Sequence, residues 1–441
     1  MALARYKSIV DDYSLRIRHG SLRPGAQLPT LRSLMREHGI ALATASRVYA
    51  ELEAGGLVAC EMGRGTFVRD TSLPRGLGLV QQTLQRDAVD LIFNYPTLPG
   101  QDDMLRESLR SIASSGDLDA LLHSAPQGGR LHERQTMARH LRNRGLRLPA
   151  EQVLIVNGAQ QGLAITVQGL LAPGDILVMD ALTFPGMKTL AQSARLDVEA
   201  LPMLDGKMNL PALAVLCQRR PVRAVYVMPT MHNPMGSVMS DAERKKLAQL
   251  AKRHQFLIIE DGAYAFLAEP APKPVFTYAP EQTVYISGLS KSVASGLRIG
   301  MVAAPLRLIP ALETAIRVSS GNTPSLMITL ACLWIESGKV DALEMLKRKD
   351  ARQRQRLAGK ILQGCTVAAH PSSYYVWLTL AEHMRADQVA AALAAQGVMV
   401  STAEAFAATT QVPHALRLAI GSIPLDALGT ALGKVQKMCC D

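Results

Sequence analysis

Ser287-Gly288-Leu289-Ser290-Lys291-Ser292-Val293-Ala294-Ser295-Gly296-Leu297-Arg298-Ile299-Gly300 is the stretch on which the reading of this chain turns. It continues an apolar run, 283–287, of strand length. Open α/β sheets bind ligands at the carboxyl ends of their strands. A lysine placed there, Lys291, can form a Schiff base with an aldehyde. Arg298 follows one loop later and suits a phosphate on the same ligand. Ser290 offers a hydroxyl. A lysine after a strand is more often a solvated residue, so the neighbours must decide.

Four further apolar runs, 152–156, 176–180, 224–229 and 256–260, alternate with helical stretches such as 159–171 and 241–254. That alternation predicts a mostly parallel sheet covered on both faces. Each run ends on residues with chemistry. Asn157-Gly158-Ala159-Gln160-Gln161 joins strand to helix, and Gly158, Ala159 and Gln160 would present amides to a phosphate at the helix N-terminus. Phe184, in Thr183-Phe184-Pro185-Gly186, would stack on an aromatic ring. Asn233, in His232-Asn233-Pro234-Met235-Gly236, would donate to a phenolic oxygen. Asp261 would hold a pyridine nitrogen protonated, and Tyr264 would bond the same phenolic oxygen as Asn233. Each signal alone is weak: Asp261 would more often cap a turn, and Phe184 would more often be core. Their common placement at strand ends fits one cofactor, pyridoxal phosphate (PLP). Past about residue 340 a polar helix and Tyr374-Tyr375-Val376-Trp377-Leu378 read as a smaller α+β unit. There Arg417 would hold a ligand carboxylate.

The first 69 residues read differently. Tyr6, Ile9, Val10, Tyr13 and Ile17 form one helical stripe. Thr30 caps a short helix carrying Leu31, Leu34 and Met35. A third helix, 42–54, turns Ala45, Val48, Tyr49 and Leu52 inward. A hairpin over 57–69 has Gly63-Arg64-Gly65 at its tip. Three helices and a β-wing make a winged helix-turn-helix, with the third helix for the major groove of DNA and the wing for a flanking minor groove. Residues 70–90, with Pro74, Gly76 and Gly78, read as a linker, which leaves 91–441 as the large domain.

The chain has 441 residues and a formal net charge of +11, with hydrophobic residues at 48%. It is long enough for two or three domains, and the positive charge suits a polyanion without proving one. No apolar run reaches the length of a membrane span, and no signal peptide is visible, so a cytoplasmic protein is expected. Six scattered cysteines suggest reduced thiols, and none has metal-site spacing. Two segments are strongly basic: 130–147 holds six arginines against one acid, and 347–360 is rich in Lys and Arg. They read as solvated helix faces or, more sharply, as DNA contacts of the large domain.

Residues from about 90 to 438 resemble class I, fold-type I aminotransferases through Asn157–Gln161, Thr183–Gly186, Asn233–Gly236, Asp261–Tyr264, Ser287–Gly300 and Ala415–Ala419. Residues 1–69 resemble the GntR winged-helix family through Leu22-Arg23-Pro24-Gly25, Leu28–Arg32, Leu52–Leu57 and Gly63–Val68. That fusion resembles the MocR subfamily of GntR regulators. The resemblance implies an N-terminal winged helix and a C-terminal PLP-dependent transferase fold, with PLP held on Lys291. It also implies a homodimer, commonly head-to-tail, that responds to an amine or amino-acid effector or to PLP itself. Double-stranded DNA is the implied partner, with Arg32, Thr44, Ser46, Arg47, Arg64 and Gly65 as candidate contacts.

Four departures stand out. Ala41-Leu42 replaces a usual Ser-Arg at the start of the recognition helix. Gly288 stands where the family usually has a serine. Phe184 replaces a tyrosine, and the tyrosine that a partner subunit usually lends has no counterpart near 123–129. Weaker cofactor binding is therefore expected. A working aminotransferase with a DNA-binding appendage, or a PLP-carrying scaffold without DNA function, stays open on sequence alone.

Overall fold

The computed structural model describes residues 2–23, 26–55, 57–61, 65–68, 88–114 and 118–439. They divide into an N-terminal head and a large body. The head contains α1 (Ala2–Arg18), α2 (Leu31–His38), α3 (Leu42–Ala54) and the antiparallel strands β1 (Val58–Glu61) and β2 (Gly65–Val68). The expected stripe of α1 is buried at every position, and so are Ala45, Val48, Tyr49 and Leu52 of α3, packed with Leu34. The Thr30 hydroxyl accepts the Ser33 N–H at 3.2 Å and starts α2. Gly39 ends that helix with φ 59°, a left-handed conformation that glycine adopts without strain. The start of α3 lacks such a device. Its N-cap is Ala41, which has no side-chain acceptor for the first-turn amides. Pro24, Gly25, Gly63, Arg64 and the expected linker up to residue 87 lie outside the described residues.

In the body, a seven-stranded sheet is built from β4 (Val153–Val156), β5 (Ile176–Asp180), β6 (Asp197–Leu201), β7 (Val222–Val227), β8 (Leu257–Asp261), β9 (Thr283–Gly288) and β10 (Gly300–Ala303). Its order is β4-β10-β9-β8-β7-β5-β6. Only β10 runs antiparallel to its neighbours, so the sheet is mostly parallel, as the alternating pattern predicts. The strands are near-continuous apolar runs because helices cover both faces, burying one cluster around Ile259 and Ile286 and another around Val225 and Ile258.

A second sheet combines β11 (Thr366–Ala368), β12 (Tyr375–Thr379), β13 (Val398–Thr402) and β14 (Ala415–Ala419) with a strand from far away in sequence, Val89–Leu91. That strand pairs in parallel with β13, Val89 opposite Val398. The C-terminal unit is therefore discontinuous, and Val89 and Asp90, read from sequence as linker, already belong to a sheet. A parallel edge strand of three residues carries too little periodicity to be seen in advance.

The long helix α7 (Lys339–Ile361) leads into this second sheet. Its basic residues correct the reading of 347–360 as a single solvated face. Lys347 is fully buried, and Arg354 is buried as well, donating to the carbonyls of Ile420 and Ile423 and to Asp350. In 130–147, Arg144 is likewise buried against Glu344. These three cations have internal partners, while Lys349, Arg352, Arg356 and Lys360 of the 347–360 run are exposed. Cys217, Cys332 and Cys439 are free thiols. Cys365 is disulfide-bonded, against the expectation of reduced thiols; it packs with the C-terminal helix, a proximity that spacing cannot reveal.

Ala41→Ser gives α3 the missing acceptor. It is expected to stabilise the helix by about 0.5–2 kcal/mol, read as slower hydrogen exchange of the α3 amides. Unchanged exchange would mean that the helix start is held by packing alone.

Candidate functional site

The carboxyl ends of β4, β8 and β9 meet around Lys291. Gly158 opens the helix after β4 with φ 79°. A side chain there would face the Arg298 guanidinium at 3.1 Å. Arg298 donates to the Asn157 carbonyl at 3.1 Å and so lies across the amide-rich start of that helix. Gly300 is needed for the same approach, since a Cβ would stand 2.5 Å from the Gly158 carbonyl carbon. Gly288 has a related reason. Its Cβ would lie 3.0 Å from the Ile299 oxygen and 3.4 Å from the Ala159 nitrogen, so the missing serine reflects close packing of β9 on this turn.

Lys291 sits on the four-residue helical turn Leu289–Ser292 directly after β9. Its amine donates to the Asn94 carbonyl at 2.6 Å and faces the rings of Tyr95 and Tyr264. Burial, then the charges of Arg417 and Arg298, push the amine down to about 8. Ser290 is beside it, and its hydroxyl is buried with no partner.

Asp261 is the last residue of β8 and is buried. It accepts the Tyr226 hydroxyl at 2.8 Å and the Ala263 amide at 2.9 Å. Burial pushes its carboxyl up, while those two donors pull the other way. Tyr264 meets Tyr375 edge to face at 5.2 Å. Its phenol is pushed up to about 12, mainly by burial. Tyr375 in turn donates to the carbonyls of Met231 and His232, which places the Asn233 loop against the same wall. Asn233 is buried, and its Oδ1 has no partner. His232 Nε2 stands 3.3 Å from Asp180 Oδ2 at the end of β5.

Phe184 precedes the helix Pro185–Ser193. Gly186 leaves room for its ring and for Gln160, which donates to the Gly186 carbonyl at 3.3 Å. Arg417 of β14 is buried, donates to the Ile92 carbonyl at 2.5 Å and lies over the Phe406 ring at 5.0 Å. Its Nε has no partner. All the body residues expected from sequence thus come together. The set fits pyridoxal phosphate: Ser290 Oγ and Arg417 Nε are buried donors left unsatisfied, and a side-chain-free turn faces Arg298. Among the described residues no cluster of His, Cys, Asp or Glu has metal-binding geometry.

In the head, Arg32 and Ser46 are exposed and Thr44 is half-buried. Arg47 is exposed as well, with its guanidinium over the Tyr6 ring at 4.5 Å and 3.8 Å from Glu51. Gly65 has φ 122°, and a side chain there would collide with Gln27. Arg64 is outside the described residues.

Residues 86–434 match the family "Aminotransferase class I and II", and residues 5–68 match "Bacterial regulatory proteins, gntR family". The chain belongs to the class I and II aminotransferase family. Joined to the GntR head, this aminotransferase body has the arrangement of the MocR subfamily. Two relatives share the whole arrangement. The HTH-type transcriptional regulator YdeF of Bacillus subtilis is 26% identical over 94% of this chain and 90% of its own. The HTH-type transcriptional regulator TauR of Rhodobacter capsulatus is 26% identical over 95% and 93%. Among solved structures, the kynurenine aminotransferase of Pyrococcus horikoshii superposes with a TM-score of 0.75 at 22% identity, over 80% of this chain and 91% of that one.

Within this aminotransferase-family site, sequence reasoning missed Tyr226, Asn94, Tyr95, Tyr375 and Lys347. Tyr226 carried a faint signal, as the one residue with a polar tip inside the otherwise apolar end of its run. Asn94 and Lys347 carried none, because their partners are about 200 and 50–250 residues away.

The neutral amine is the form that attacks an acylating reagent. In cofactor-free protein, labelling of Lys291 is therefore expected to rise with pH through a midpoint near 8, and Arg417→Met should move that midpoint upward. Peptide mapping checks both. A midpoint at the ordinary lysine value would mean that the amine is solvated.

Proposed function

We propose that this chain is a PLP-dependent, ligand-responsive transcription regulator. The winged helix binds DNA, and the aminotransferase-like body is the sensor and dimerisation module. One observation carries the reading. A buried lysine with a lowered pKa, ringed by unsatisfied polar atoms and backed by Asp261, lies in a chain that begins with a GntR head. The regulators YdeF and TauR match over both parts, which favours this reading over an aminotransferase with an appendage. Among the described residues no helix is long and apolar enough to cross a membrane, in keeping with a cytoplasmic regulator.

When bound, the cofactor supplies an aldehyde that takes up an amine and a ring that draws electrons from it. The rest is the work of the chain. Gly158, Ala159 and Gln160 offer the start of a helix, and Arg298 and Ser290 offer charge and hydroxyl, to the phosphate. Asp261, oriented by Tyr226 and the Ala263 amide, holds a proton on the ring nitrogen. Tyr264 and Asn233 address the phenolic oxygen, and Phe184 covers the ring. Lys291 supplies the amine, and Arg417 takes the carboxylate of an amino-acid effector. In the head, Arg32 contacts phosphate while Thr44 and Ser46 face the major groove, and Arg64 and Gly65 contact a flanking minor groove. Arg47, exposed on α3, joins them as a DNA contact while its guanidinium packs on the Tyr6 ring. As a homodimer, the protein presents two heads whose spacing follows the state of the two bodies.

The test is binding of the purified protein to DNA upstream of its own gene, with and without PLP. Wild type is expected to bind specifically and to change affinity with PLP, and Lys291→Ala to bind but lose that response. Absence of specific binding in every state, by protein that carries PLP, would contradict the regulator reading.

A further inference from the structure

The helical turn that carries Lys291 is only four residues long, Leu289–Ser292. So short a turn leaves its terminal carbonyls without helical partners. They find one on another element. Lys347, fully buried on α7, donates to the Lys291 carbonyl at 3.2 Å and the Val293 carbonyl at 2.6 Å. Its third donor goes to the Pro96 carbonyl at 2.6 Å. An ammonium has three N–H groups and no more, so all of them are engaged on backbone.

Two other buried cations of the body are paired with carboxylates, Arg354 with Asp350 and Arg144 with Glu344, whereas Arg244 and Arg417 also donate to backbone carbonyls. That pairing is the ordinary requirement for a charge out of water. Lys347 instead directs its protons to two short segments. One is the turn of Lys291. The other, 94–96, includes the Asn94 carbonyl that accepts the Lys291 amine at 2.6 Å. Lys347 thus ties the backbone of Lys291 to the segment that receives its side chain. Burial holds the Lys347 amine down to about 7, while its three hydrogen bonds favour the protonated form.

We propose that Lys347 is a positioning residue for the cofactor lysine: it caps the Lys291 turn and fixes it against residues 94–96, so that the Lys291 amine faces the cofactor's aldehyde position. The proposal rests on the reading of Lys291 as the PLP lysine. Without Lys347 the turn is free to rotate its carbonyls toward other donors, and Lys291 moves with them.

The test uses full-length protein. Borohydride reduction of the PLP-loaded wild type, followed by peptide mapping, first locates the cofactor; it is expected on Lys291. PLP is then titrated into Lys347→Met and Lys347→Arg, with Arg354→Met as a control that removes buried hydrogen bonds from the same helix away from the turn. All are followed by the absorbance maximum of the bound cofactor and by melting temperature. Lys347→Met should weaken PLP at least ~10-fold and shift its absorbance maximum, while Arg354→Met lowers the melting temperature and leaves both unchanged. If Lys347→Met does not fold, Lys347→Arg decides. Its planar fork does not fit three carbonyls converging on one point, so PLP should weaken ~3-fold or more with the spectrum shifted. Cofactor found on a residue other than Lys291 would remove the cofactor reading and this proposal with it. Cofactor on Lys291, with folded Lys347 variants that titrate and absorb like wild type, would overturn the positioning role alone.

Discussion

A primary amine kept out of water must give its protons to something. Around Lys291 that something is backbone. The amine donates to the Asn94 carbonyl, and its own carbonyl accepts from Lys347. Two buried amines thus serve one loop, and neither has a carboxylate as hydrogen-bond partner. Burial, with the charges of Arg417 and Arg298, keeps the Lys291 amine below the ordinary lysine range and ready to react as the neutral base. The two amines also tie together three distant parts of the chain: the segment 94–96, the turn after β9 and the long helix α7.

The opposite wall obeys the same logic with the signs reversed. Asp261 is a carboxylate out of water, steadied by Tyr226 and the Ala263 amide. Arg298 is held across the Gly158 turn because Gly158 and Gly300 have no side chains to keep it away. The site is a set of charges each held for one role, Asp261 and Arg417 buried and Arg298 exposed, on a sheet whose apolar strands supply the rigidity.

What could be read in advance follows from sequence distance. Strand ends, the glycine-bearing turn at 157–161 and the pair Lys291 and Arg298 are local features, and the five strongest strands and their helices declare themselves by period. Gly288 read as a loss of a phosphate donor, and in the fold it is the only size that fits between Ile299 and Ala159 without displacement. The basic run at 347–360 read as surface, because composition does not distinguish a solvated lysine from one that holds three carbonyls. The strand Val89–Leu91 was hidden by its length, and Asn94 by the nearly 200 residues between it and Lys291. In the head the expected helices are all present, and the exposed Arg47 rests its guanidinium over Tyr6 of α1.

The central claim is that one molecule links PLP in the body to DNA under the head. Linkage of this kind is reciprocal. PLP should therefore be titrated against the protein alone and against the protein saturated with its upstream DNA, at one fixed salt concentration. The account predicts that DNA changes the Kd for PLP by the same factor by which PLP changes the Kd for DNA. Two ligands that both bind, each with a Kd indifferent to the other, would contradict it.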